Sequence, residues 1–115
     1  MSMTFTGEVK SGMLVLHLEG DLVGAEKTVP LLDSVAQAIG QQVLTCVLEI
    51  SQLRYLNSAG VGVLITILTK FRNKGGEVFL MNPSESVKKL LVTTKLNAIF
   101  QTVQTEADAL SKTVR

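Results

Sequence analysis

Ser58 is the residue whose surroundings most suggest chemistry. It lies in Leu56-Asn57-Ser58-Ala59-Gly60-Val61-Gly62, between an apolar run and a segment of helical periodicity. The first turn of a helix leaves several backbone N–H groups without partners. A hydroxyl at that point can cap them, which contributes ~1 kcal/mol; alternatively Asn57 is the cap and Ser58 opens the first turn. A phosphoryl group on Ser58 would bring roughly −1.5 to −2 charges to the positive end of the helix dipole. Helix N-termini accept anions readily, so such a modification leaves the fold intact. The same dianion pressed unpaired into a fitted protein interface costs several kcal/mol. Each ~1.4 kcal/mol is a tenfold change in affinity, so one phosphate can end an association without unfolding anything.

The remaining reactive side chains do not assemble into catalytic machinery. The chain has one cysteine, Cys46, and one histidine, His17. Cys46 is flanked by apolar residues and is expected to be buried and inert, and one cysteine excludes an intramolecular disulfide. His17 alternates with leucines along a strand, with no carboxylate partner evident in the sequence. Asp21 sits in a turn that could approach the serine. The glycines around Ser58 lack the Lys-Ser/Thr of a P-loop, which argues against nucleotide hydrolysis. No nucleophile–base pair, metal cluster or paired carboxylates can be named. The expectation is a protein that is not an enzyme and that uses no cofactor and no metal.

Composition narrows the partners. The 115 residues carry 11 basic and 10 acidic groups, a net charge of +1, with no basic stripe for nucleic acid. Aromatic residues are 4% with no tryptophan, which disfavours base stacking. Hydrophobic residues reach 46%, enough for a packed core. The apolar run Val61 to Leu68 is interrupted by Gly62 and Thr66 and is far too short to span a membrane. Met1 to Lys10 lacks a basic region followed by an apolar stretch, so the protein is expected to be cytoplasmic. The length suits one domain over 1–115.

The elements that must position Ser58 alternate between strand and helix. Thr4–Val9 and Met13–Glu19 read as a hairpin about Ser11-Gly12, with Leu14, Leu16 and Leu18 on one face. Leu31 to Ile39 follows at helical spacing, beginning near Thr28 and ending at Gly40. Val43 to Ile50 reads as a fully buried strand. Gly60 to Asn73 reads as a helix with Val61, Leu64, Ile65, Leu68 and Phe71 inward. Glu77 to Met81 is another buried strand. Asn82-Pro83-Ser84-Glu85 reads as a helix start capped by Asn82. Leu96 to Phe100 is a short apolar turn, Val103 marks a brief strand, and Glu106 to Val114 is a polar closing helix. The class is α/β, a mixed four- to five-stranded sheet with about four to five helices packed on it.

The stretch Leu48-Glu-Ile-Ser-Gln-Leu-Arg-Tyr-Leu-Asn-Ser-Ala-Gly-Val-Gly62 resembles the STAS family of bacterial anti-sigma factor antagonists. Their pattern is an apolar strand, a short loop, then Asp-Ser-x-Gly-apolar-Gly opening a helix. Leu18-Glu19-Gly20-Asp21-Leu22, Lys74-Gly75-Gly76-Glu77-Val78 and Ser86-Val87-Lys88-Lys89-Leu90-Leu91 match further parts of the pattern, so the resemblance covers nearly the whole chain. Asn57 and Val23 stand where many phosphorylated members carry aspartate. Asn57 keeps the shape and reach of aspartate without its charge, which leaves less negative charge to oppose a phosphate.

The resemblance implies a STAS fold and a partner switch with Ser58 as the phosphorylation site. Unmodified protein would bind an anti-sigma factor that is also a serine kinase of the GHKL type, releasing a sigma factor. Phosphorylation would end binding, and a separate phosphatase would reset it. Asp21, Asn57, Ala59, Gly60 and Gly62 are the expected lining of this site. The two glycines are expected to keep the approach to Ser58 open, and Val63 and Ile67 are expected to supply apolar contacts beside it. The alternative is a STAS subunit that does not switch, held in a transporter ATPase or a larger signalling assembly. The two missing aspartates keep that alternative open.

Overall fold

A computed structural model describes residues 3–24 and 28–113. Five strands form one sheet in the order β1 (Thr4–Lys10), β2 (Met13–Leu22), β3 (Thr45–Leu56), β4 (Glu77–Met81) and β5 (Gln101–Val103). β1 runs antiparallel to β2, and every later neighbour is parallel. Parallel neighbours need crossovers, and these are α1 (Thr28–Gly40), α2 (Ser58–Arg72) and α3 (Glu85–Thr93), the last followed by a short 3-10 turn at Leu96–Ala98. A closing helix, α4 (Glu106–Thr113), completes the described chain. The expected mixed α/β architecture is therefore observed. Val114, the expected end of α4, lies outside the described residues.

Strand alternation divides the core in two. Leu14, Leu16 and Leu18 of β2, Cys46, Leu48 and Ile50 of β3, and Val78 and Leu80 of β4 share one cluster with Leu31 and Val35 of α1, Leu64 and Phe71 of α2, and Val87 and Leu91 of α3. The alternate residues Met13, Val15, Val47, Phe79, Met81 and Val103 pack with Ala109 of α4. Three helices thus share one face of the sheet, as crossovers of one hand require, and α4 shields part of the other. Burial raises the pKa of the Cys46 thiol, because its thiolate would have no water to solvate it. A thiol reagent should leave the native protein unlabelled and modify Cys46 fully in denaturant. Rapid labelling without denaturant would contradict this packing.

Several local expectations need correction. α2 begins at Ser58, two residues earlier than the periodicity implies, because Asn57 supplies a cap. β3 does not stop at Ile50 but continues to Leu56, paired with an equally extended β2. The cap of α3 is Ser84, whose hydroxyl accepts from the Val87 N–H; Asn82 precedes it with a left-handed backbone, φ 52°. The inward face of α2 is also rotated: Ile67 is fully buried and Ile65 is exposed. Starting the helix at Ser58 places Gly60, Leu64, Ile67, Leu68 and Phe71 on the sheet side. Ile67 is therefore a core residue that no partner can touch.

Candidate functional site

The site is built where β2 and β3 run past the end of β4. β4 stops at Met81, opposite Glu49, whereas β3 continues for seven residues to Leu56. Along this extension the pairing with β2 is irregular: Gly20 faces Leu53, but Asp21 faces Tyr55, so Arg54 is an extra residue in β3. Such a bulge re-aims a side chain. The Arg54 guanidinium donates to the Asp21 carboxylate at 3.0 Å. On the side of β3 that β4 leaves open, α3 supplies the missing donors. The Ser84 hydroxyl donates to the Leu53 carbonyl at 2.9 Å, and the Ser86 hydroxyl donates to the Arg54 carbonyl at 3.1 Å. These bonds satisfy backbone oxygens that would otherwise face an unfinished sheet edge.

Asn57 joins this extension to α2. Its backbone is extended, its Oδ1 accepts from the Gly60 N–H at 3.0 Å, and its carbonyl accepts from the Val61 N–H at 2.9 Å. Its own N–H donates to the Leu22 carbonyl at 3.3 Å, and its Nδ2 donates to the Val23 carbonyl at 2.8 Å. The tail of β2 is thus tied to the start of α2 by consecutive residues. Gly60 completes the junction. It is buried, and a Cβ there would collide with the Leu22 carbonyl oxygen and lie 3.0 Å from the Leu56 Cβ. Gly60 is present so that α2 can start against β2, which corrects the expectation that it keeps the surface open. Gly62 has open space above it.

Ser58 is the first helical residue and is exposed, as is Ala59. Its hydroxyl makes no hydrogen bond to any described residue, and the capping role belongs to Asn57. With the Gly60 N–H taken by Asn57, the N–H groups of Ser58 and Ala59 are the ones that helix geometry leaves free. The first turn of α2 holds no acidic side chain. Asp21, the carboxylate expected near the serine, is engaged by Arg54, so its charge is locally balanced. Val63 is half-buried against the core and Ile67 is within it. The exposed apolar side chains near this end are Val23 and Tyr55, with Ile65 two turns along α2. The sequence reading missed Arg54, Ser84 and Ser86, because a bulge pairing and an interstrand cap leave no local pattern. The spacing alone puts Ile65 inward, because it does not show that α2 starts two residues earlier, at Ser58.

The described residues hold no group of three or more His, Cys, Asp or Glu side chains arranged to bind a metal ion. None of their helices is long and apolar enough to cross a membrane. The arrangement is a hydroxyl at a helix N-terminus, flanked by a tied-down strand tail and a few exposed apolar side chains.

The model of the STAS domain family matches residues 4–109, and the chain belongs to that family. A candidate anti-sigma factor antagonist of Thermotoga maritima is 29% identical over 68 residues, which are 59% of this chain. That match spans only 60% of the length of the Thermotoga protein. Among solved structures, a crystal structure of a candidate anti-sigma factor antagonist from Thermotoga maritima superposes with a TM-score of 0.83 at 22% identity, covering 96% of this chain and 95% of that one. The phosphorylated form of the Bacillus cell fate determinant SpoIIAA superposes with a TM-score of 0.71 at 23% identity, covering 96% of this chain and 100% of that one. At these identities the superpositions establish the fold, which is that of the SpoIIAA-like STAS domain.

Proposed function

We propose that this protein is an anti-sigma factor antagonist whose binding is switched off by phosphorylation of Ser58. The observation that carries the reading is the state of Ser58: an exposed hydroxyl at the first position of α2, uncommitted to capping and beside N–H groups that have no partner among the described residues. A phosphate there gains the helix terminus as a partner and meets no acidic side chain in the first turn. The Asn57 cap and the Gly60 packing are unaffected by it, so the fold persists. The names of the Thermotoga relative and of the SpoIIAA structures support the same direction.

In this scheme the unmodified face captures an anti-sigma factor that is also a GHKL-type serine kinase. Phosphoryl transfer from ATP to the Ser58 oxygen places a dianion in the interface and releases the kinase, and a phosphatase hydrolyses the ester. The protein is a ligand and substrate, working as one STAS domain in the cytoplasm. Ile65 takes the place of the buried Ile67 as an apolar contact on α2, alongside the half-buried Val63, together with Val23 and Tyr55.

Affinity capture from host lysate with wild-type, Ser58→Asp and Ile65→Lys baits tests the scheme. Wild type is expected to retain a GHKL-type kinase, and Ser58→Asp to lose it by about a hundredfold, the size of an interfacial penalty near 3 kcal/mol. Ile65→Lys should also lose it while melting normally, because its side chain already faces water. The same partner on wild type and Ser58→Asp, a transporter ATPase above all, would reject the switch in favour of a constitutive binding subunit.

A further inference from the structure

Four hydrogen bonds meet on Asn57, and they do two separable jobs. Its side-chain oxygen and backbone carbonyl hold the first turn of α2, through the N–H groups of Gly60 and Val61. Its side-chain nitrogen and backbone N–H hold the tail of β2, through the carbonyls of Val23 and Leu22. The amide acts on both sides with one side chain, because its acceptor and its donor sit on separate atoms that reach the two partners. Aspartate and serine cap a helix about as well as asparagine. Neither provides the second grip at neutral pH: a carboxylate has no proton to give the Val23 carbonyl, and a serine hydroxyl is too short to span both.

We propose that Asn57 is a positioning residue, a clasp whose amide pins the Val23 end of the β2–α1 connection against the helix start that carries Ser58. The proposal rests on the reading of Ser58 as the centre of the docking face, and it adds what shapes that face. Val23 leads out of the sheet, its carbonyl is bonded to the Asn57 cap of α2, and its side chain is exposed. Past Leu22 the strand ladder has ended, so the Asn57 side chain is the described bond that continues it. Val23 is then held in place before a partner arrives, which reduces the ordering cost of binding at that residue. An aspartate at position 57 would keep α2 capped and turn the clasp into a repulsion, with a carboxylate oxygen facing a carbonyl oxygen at hydrogen-bond distance.

The test needs no partner. Backbone amide NMR spectra of wild type, Asn57→Asp and Asn57→Ser are recorded from pH 7 to pH 3. At neutral pH both variants should keep the Gly60 and Val61 amides near wild-type positions while the Val23 and Gly24 amides shift. On acidification the Asn57→Asp spectrum alone should return toward wild type at Val23 and Gly24, because the protonated carboxyl regains a donor. The nearby charged groups are Asp21 and Arg54; both are present in wild type and in Asn57→Ser, and the difference between spectra removes their contribution. Unshifted Val23 and Gly24 amides in Asn57→Asp at pH 7, or no return at low pH, would overturn the clasp. Such a failure alongside a successful Ser58→Asp capture result would sink the clasp alone, whereas the reverse pattern would sink the switch and leave the clasp standing.

Discussion

Gly60→Ala should lower stability by about 2 kcal/mol or more, and Gly62→Ala, two residues away on the same helix, should raise it by about 1 kcal/mol. Alanine is favoured over glycine in a helix interior by ~1 kcal/mol, and that gain applies at both positions. At Gly62 nothing lies within reach of the added methyl, so the gain is kept. At Gly60 the methyl meets the Leu22 carbonyl oxygen, a backbone atom held in place by its pairing with Leu56 and by the Asn57 N–H. Overpacking costs typically ~1–3 kcal/mol and sometimes more, and a collision with a fixed backbone oxygen lies at or beyond the top of that range, which leaves a net loss of about 2 kcal/mol or more after the propensity gain. Thermal melts at one protein concentration decide it. The alanine at position 60 should melt roughly 8 °C lower and that at position 62 roughly 4 °C higher, at about 4 °C per kcal/mol for a chain of this size. Equal shifts for the two variants would mean that α2 does not start against β2. Gly60→Ala should also weaken partner capture, because relief of the clash requires α2 to move away from the β2 tail and carry Ser58 with it.

Phe71→Ala should cost about 3–5 kcal/mol, the range for a fully buried phenylalanine replaced by alanine. Phe71 lies in the last turn of α2 and is among the largest side chains with no exposure in the chain. It packs in the cluster that α1, α2 and α3 share on one face of the sheet. The turn beyond α2 depends on the same residue, since the Phe71 carbonyl accepts from the N–H groups of Lys74 and Gly76. Those backbone bonds survive the substitution, so the loss measures packing and cavity formation. Urea denaturation should show a lower midpoint with an unchanged slope, because the surface exposed on unfolding barely changes. A loss below ~1 kcal/mol would show that Phe71 is not enclosed by the three helices. A native stability of ~5–15 kcal/mol sets the scale, and on it this one side chain is a large share.

Much of this molecule was legible before any coordinates. Leu14, Leu16 and Leu18 alternate along β2, Val43 to Ile50 form an apolar run, and Glu77-Val-Phe-Leu-Met81 is unbroken, so the strands and their order followed from period and hydrophobicity alone. The parallel crossovers followed from the intervening helical segments. The candidate site was legible to the level of one residue, because a serine between an apolar strand and a glycine-punctuated helix is a local pattern. The resemblance to the STAS family rested on that pattern and on the order of the elements around it, and the family model matches over 4–109.

What tertiary structure decided is everything that depends on two segments meeting. The role of Gly60 is set by the Leu22 carbonyl, 38 positions earlier in the chain, and no property of glycine itself distinguishes it from Gly62. Ile65 and Ile67 are the same residue type two positions apart, and only the true start of α2 tells which one faces the sheet. Asn57 reads as a cap from its place before a helix, but its second grip on the Val23 carbonyl appears only when β2 and β3 run on together beyond β4. Arg54 reads as a surface cation until a bulge turns it toward Asp21. Local patterns report the free energy of a residue against its own neighbours in the chain. Register, bulges and close approaches are set by residues distant in sequence, and the geometry around Ser58 is made of those.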